Sequence, residues 1–278
     1  MAMSAQRPDI TVIVRTSGRS RCYLDRALAS IRAQTCRPAQ VIISDDASAG
    51  PTPDVGDPGI VWVTRPPDES PNRSKALNRG IQHAGTAWLA FLDDDDTWHP
   101  EFLARMRTAV TGPTTAVCCR TQARYEHEVE GRFQPLGEEP FNPGLYGITL
   151  SRLAAANLFT NNAVLWPRDF FTTLGGYRED LTMLEDWEFN VRAAQRFSLA
   201  VLPETLAYYH QRPRQDGGLA ANSAKTQHDR ARDQLLQEWR AAGLLPPDRG
   251  WRWVANRGRE LRHRWARWRF TTRWGPNA

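Results

Sequence analysis

Five apolar residues, Trp88-Leu89-Ala90-Phe91-Leu92, run directly into four consecutive carboxylates, Asp93 to Asp96. A short apolar run of this kind, bounded by Gly85-Thr86 on one side and Thr97 and Pro100 on the other, reads as a strand buried on both faces. Such strands belong to parallel sheets sheathed by helices, and the carboxylates then fall at the C-terminal sheet edge, where open α/β sheets bind their ligands. Four like charges in a row repel one another, so the turn needs a compensating cation. An all-oxygen donor set suits a hard divalent ion, Mg²⁺ or Mn²⁺, of the kind that also carries nucleotide phosphates. The alternative, a solvated turn in which Asp96 or Thr97 caps a helix starting near Pro100, accounts for one carboxylate and not for four.

The same rhythm runs through the first hundred residues. Strands are expected at Ile10 to Arg15, Val41 to Ser44 and Ile60 to Val63, with helices at Tyr23 to Ala33 and Ser74 to Ala84. This βαβ order predicts a mostly parallel sheet with helices on both faces. Asp45-Asp46-Ala47-Ser48 follows its strand as the tetra-aspartate follows Leu92, so two acidic loops converge on one sheet edge. Further on, a helix is expected from Pro100 to Val110 and a hairpin over Cys118 to Leu136 turning at Glu130-Gly131. A short helix over Thr149 to Ala156 and a strand over Ala163 to Trp166 come next, then helices at Arg168 to Leu174, closed by Gly175-Gly176, and at Asp186 to Phe197.

A chain of 278 residues can bury a full core without staples. Its four cysteines form no CxxC, which argues against a zinc knuckle or a disulfide framework, and neither a GxGxxG nor a Walker A sequence occurs. No signal-like or membrane-spanning apolar stretch is present, so a cytoplasmic location is expected. From Pro246 onward nine Arg face only Asp248 and Glu260, which exceeds the net +5 of the whole chain and leaves the rest slightly acidic. A helix over Asn222 to Ala242 leads into this tail, where Trp251, Val254, Gly258, Leu261, Trp265 and Trp268 form one apolar stripe among the arginines. Such a helix lies on an anionic membrane surface, making the protein peripheral on the inner face, or docks on its own domain with the Arg face solvated. Nucleic acid is not expected, because no recognition module accompanies the charge.

Taken in order, the segments Ile10 to Thr16, Ser30 to Thr35, Val41 to Ser48, Ser74 to Ile81, Phe91 to Asp96, Leu174 to Tyr177 and Glu185-Asp186-Trp187 resemble glycosyltransferase family 2. The resemblance implies a GT-A type α/β catalytic domain, taken as residues 1–216, and the helical pattern beyond it makes a C-terminal extension over 217–278. It also implies an inverting transfer of sugar from a nucleotide-diphosphate donor, UDP-sugar above all, to a hydroxyl of a glycan or lipid-linked glycan.

Carried over position by position, the resemblance assigns Thr16 and Asp46 to the nucleoside and matches Asp93 and Asp95 to the family's DxD. Asp95 is then the direct ligand of Mn²⁺ or Mg²⁺, Asp93 or Asp94 reaches the ribose or a metal-bound water, and Asp96 is left as a cap. His210 is implied as a third metal ligand. The family often places Arg before the Asn matched here by Asn78, but this chain has Leu77, so Lys75 or Arg73 is expected to bring positive charge to the diphosphate. Arg212 and Arg214 follow as a lid.

An acceptor hydroxyl is a poor nucleophile at neutral pH and needs a carboxylate to take its proton, the role implied for Asp186 with Glu185 as its neighbour. Acceptor contacts are expected from Asn161, Asn162, Trp166 and Trp187, since aromatic faces stack on sugars and amides bond hydroxyls. A non-catalytic carbohydrate-binding or membrane-surface protein on the same scaffold is the alternative. It predicts loss of Asp95 or Asp186, and both are present.

Overall fold

Along the first strand Ile10, Val12 and Val14 face one side and Ile13 the other, and all are fully buried, so both faces of the sheet must be covered. The computed structural model describes residues 9–47, 55–212 and 225–246. Strands β1 (Ile10–Thr16), β2 (Gln40–Asp45), β3 (Ile60–Thr64) and β4 (Trp88–Asp93) form a parallel block in the order β3-β2-β1-β4. Helices α1 (Arg21–Arg32) and α2 (Arg73–Gln82) supply its crossovers. Beyond β4 the sheet becomes mixed, with β5 (Thr97–Trp98), the long β6 (Thr115–Val129), β7 (Arg132–Pro140), β8 (Val164–Pro167) and β9 (Ser198–Gln211). Strand β8 is antiparallel to β4 and β6, while β6 and β9 run parallel.

One face of the sheet packs Leu24, Ala27, Leu28 and Ile31 of α1 with Phe102, Leu103 and Met106 of α3 (Phe102–Thr108) against Val12, Val14, Ala90 and Leu92. The other carries α2, α4 (Leu150–Ala155), α5 (Arg168–Leu174) and α6 (Glu185–Ala194) over Ile13, Ile42, Leu89 and Phe91. Gly80 lets α2 approach β1, because a Cβ there would stand 2.5 Å from Ile13. The expected hairpin forms, with Glu130 and Gly131 both at positive φ (51° and 76°) in the turn joining β6 to β7.

The sequence reading missed β5 and most of β9. It also placed Trp166 and Trp187 at an acceptor surface, and the structure corrects this. Trp166 is fully buried among Phe170, Phe171 and Phe189, and the buried Trp187 donates its indole N–H to the Leu153 carbonyl at 2.6 Å while meeting Trp239 edge-on. Trp239 and Leu235 belong to α7 (Lys225–Ala241), so the described part of the expected extension packs into the core. Arg214 and the Arg/Trp stripe lie outside the described residues. Among the described residues no helix is long and apolar enough to cross a membrane.

Candidate active site

The ends of β1, β2 and β4 meet because parallel register leaves Thr16 beside Asp45 and Arg15 beside Asp93. Backbone bonds finish the edge: the Asp46 N–H reaches the Thr16 carbonyl at 2.9 Å, and the Asp94 N–H the Arg15 carbonyl at 3.0 Å. The tetra-aspartate then turns back on itself through a 3.1 Å bond from the Asp96 N–H to the Asp93 carbonyl. This turn carries its four carboxylates in different directions.

Each finds a partner of its own. Asp93 accepts from Arg15 at 2.8 Å and Arg73 at 3.1 Å. Asp94 accepts from the Thr16 hydroxyl at 2.6 Å and from Arg19 at 2.9 Å. Asp95 is held by Arg19 at 2.6 Å and by Arg212. Asp96 takes the Asn162 amide and the His210 backbone N–H, both at 2.9 Å. One oxygen each of Asp93, Asp95 and Asp96 lies within 4.8 Å of the others, so these three fit a hard divalent cation.

This differs from the expected ligand set in two places. Asp96 does not cap α3; it joins the cluster. The His210 ring stands outside it, with Nε2 bonded to Thr97 at 2.9 Å and Nδ1 to Glu126 at 2.8 Å, and only its backbone reaches an aspartate. Burial pushes the His210 imidazole below its ordinary pKa, with Glu126 opposing. Burial also acts to raise Asp93, but the Arg15 and Arg73 charges outweigh it and hold this carboxyl well below the usual range. Asp96 goes the other way, pushed well up by burial and then by the charges of Asp95 and Asp93.

The Glu185-Asp186 pair opens α6 directly after Leu184, whose φ of 64° is uncommon for a branched side chain and of the kind found at functional sites. The preceding turn is pinned by Asn78, whose side chain exchanges two 2.9 Å bonds with the Tyr177 backbone. Gly176 permits this, since a Cβ there would come within 2.6 Å of Asn78. Glu185 is buried and accepts from Arg73 at 2.9 Å. Half-buried Asp186 accepts from Asn157 at 3.4 Å and from the Trp187 N–H at 2.7 Å. Burial and the neighbouring Glu185 push its pKa up to about 6, with Arg73 opposing. A carboxyl so poised takes up and gives back a proton near neutral pH.

Arg73 was expected at a diphosphate; it bridges Asp93 and Glu185. Asp46 accepts the Asn72 N–H at 3.0 Å and has Arg79 at 3.6 Å. Lys75 takes part through its backbone, donating to the Asn72 side chain at 3.0 Å in the first turn of α2. Asn161 accepts from the Tyr177 hydroxyl at 3.0 Å, and buried Asn162 supports Asp96. Sequence reasoning missed Arg15, Arg19 and Asn157. For Arg15 and Arg19 the signal was available, since two arginines flank the end of the strand beside an acidic turn.

The sequence pattern of "Glycosyl transferase family 2" matches residues 11–170. A "PGL/p-HBAD biosynthesis glycosyltransferase" of Mycobacterium tuberculosis is 27% identical over 179 residues, covering 61% of this chain and 63% of that protein. The chain spans between 31% and 63% of the length of such curated relatives. Among solved structures, S. aureus TarS in complex with UDP superposes with a TM-score of 0.56 at 18% identity, over 83% of this chain and 70% of that one. The mannosyltransferase PcManGT from Pyrobaculum calidifontis, in complex with GDP-Man and Mn²⁺, gives 0.56 at 20% identity, over 77% and 59%. These likenesses establish the GT-A fold, and with the match over more than half its length the chain belongs to glycosyl transferase family 2.

Proposed function

We propose that this chain is an inverting glycosyltransferase that moves a sugar from a nucleotide-diphosphate donor, with UDP-sugar preferred, to a hydroxyl of a glycan or lipid-linked glycan. The observation that carries the reading is the single guanidinium of Arg73, which ties Asp93 of the aspartate turn to Glu185 beside Asp186. Cation site and proton acceptor thus lie to either side of one side chain. Asp186 takes the proton from the attacking hydroxyl, and one such base suffices for a single displacement with inversion. Asp93, Asp95 and Asp96 would hold Mn²⁺ or Mg²⁺, which when bound supplies Lewis-acid stabilisation to the departing diphosphate. Arg19 and Arg212, already at this edge, add positive charge where negative charge grows. Thr16 and Asp46, at the same edge, would hold the nucleoside.

TarS bound to UDP supports the choice of a uridine donor, and PcManGT with GDP-Man and Mn²⁺ supports a divalent ion. The names of two relatives, a succinoglycan biosynthesis protein of Rhizobium meliloti and the mycobacterial glycosyltransferase, support a role in building surface glycans. The basic Arg/Trp tail would keep the enzyme at the cytoplasmic face of an anionic membrane, near a lipid-linked acceptor. A thermal-shift panel of nucleoside diphosphates with and without Mn²⁺ tests the reading. A ligand at a hundredfold excess over its Kd stabilises by about 2.7 kcal/mol. Mn²⁺-dependent stabilisation by UDP is expected, and equal response to no nucleotide at all would defeat it.

A further inference from the structure

Oδ2 of Asp95 carries two guanidinium donors at once: Nη1 of Arg19 at 2.6 Å and Nη2 of Arg212. Arg212 is no surface side chain. It is 7% exposed, its guanidinium lies 4.6 Å from the centre of the Tyr23 ring, and its other nitrogen stands 3.8 Å from Glu126. It also follows His210 by two residues, and the His210 backbone N–H holds Asp96. The end of β9 is therefore tied to two of the three carboxylates that fit a cation.

A divalent ion among Asp93, Asp95 and Asp96 would share Asp95 with two guanidinium groups in a buried space, where like charges interact strongly. The conflict is relieved when a diphosphate arrives, because a guanidinium binds phosphate oxygens bidentately as well as it binds a carboxylate. We propose that Arg212 is the resident counter-cation of Asp95, surrendered to the diphosphate when the metal ion takes its place, so that ion and nucleoside diphosphate bind with positive coupling. The proposal rests on the glycosyltransferase reading of the site. Coupling of this kind is reciprocal: each ligand tightens the other by the same factor.

The test is calorimetric titration of Mn²⁺ into the full chain with and without saturating UDP, for the wild type, Arg212→Gln and Arg212→Lys. In the wild type UDP is expected to tighten Mn²⁺ at least tenfold. Arg212→Gln should bind Mn²⁺ alone about tenfold more tightly than the wild type, with the UDP effect falling below threefold. Arg212→Lys keeps the charge without the fork, so Mn²⁺ alone should stay weak while the UDP effect shrinks; this variant decides the matter if the first does not melt cooperatively. Unchanged Mn²⁺ affinity and undiminished coupling in the variants overturn the role of Arg212 while leaving the cation site standing. A wild type that binds UDP equally well in a chelator, and Mn²⁺ at no UDP concentration, overturns the site reading and this proposal together.

Discussion

Arg73, the first residue of α2, donates to Glu185, the first residue of α6, across 2.9 Å, and with its other nitrogen reaches Asp93 at 3.1 Å. Two helices far apart in sequence are thereby set against the end of β4. Removing that guanidinium leaves Glu185 buried beside Asp186 without its counter-charge, and because Arg73 opposes the upward shift at Asp186, the shift should grow. Arg73→Met is expected to move the ascending limb of the pH-rate profile to higher pH; an unmoved limb would show that the bridge does not govern the base.

For the wild type the sign follows from the direction of the shift. Asp186 must be ionised to accept a proton, so the rate should rise as pH climbs through about 6 and level off above it. Asp186→Asn should bind UDP normally and turn over about 10²- to 10⁴-fold more slowly, the usual contribution of a positioned base. Weakened UDP binding with full turnover would place the base elsewhere.

The same residue has an opposite effect on stability. Its folded pKa lies above the ordinary carboxylate value, so between about pH 4 and 6 the folded state holds the proton more firmly, and this group's contribution favours folding less as pH rises. Asp186→Asn removes a carboxylate that is costly to ionise and should raise the melting temperature at pH 8. Calorimetry at pH 5 and 8 checks this, with the gain expected at the higher pH.

Asp95→Asn keeps the shape of the turn while removing one of the three carboxylates that a divalent ion would meet. Mn²⁺-dependent stabilisation by UDP should disappear from its melting curves, whereas Asp94→Asn, outside the group of three, should retain most of it. Equal loss in both would dissolve the distinction between these neighbours.

Trp187 separates a core role from an acceptor contact. Truncation of a buried tryptophan to alanine costs about 3–5 kcal/mol, and Trp187→Phe, which leaves the Leu153 carbonyl without its donor, should lower the melting point by a few degrees. The KM for acceptor should hold steady, and a raised KM at unchanged stability would return Trp187 to the sugar.

Deleting residues 247–278 tests the tail. Binding to anionic liposomes should vanish, and that of the full chain should weaken with salt, since each arginine near such a surface contributes on the order of 1 kcal/mol and is screened. A shortened protein that still sediments with vesicles would remove the tail from any membrane role.

The strands β1, β2, β3 and β4, the helices between them and the acidic ends of β2 and β4 were legible in the amino-acid order. Strands covered on both faces must be apolar throughout, and an apolar run ending in charge marks its own boundary. Strand β9 was not legible, because most of its first eight residues are only partly buried and Pro203-Glu204 interrupts the pattern; β5 is two residues long. Nor could the sequence say that Asp96 gathers with Asp93 and Asp95. Asp96 points inward because Asn162, 66 positions away, and the His210 N–H, 114 positions away, supply its hydrogen bonds. Trp166 and Trp187 failed for a related reason, since a tryptophan suits a sugar face and a core equally well and only packing decides between them. Local periodicity records which face of an element is buried, whereas the direction of a side chain in a turn depends on donors brought from elsewhere in the chain, and these exist only once the sheet has closed.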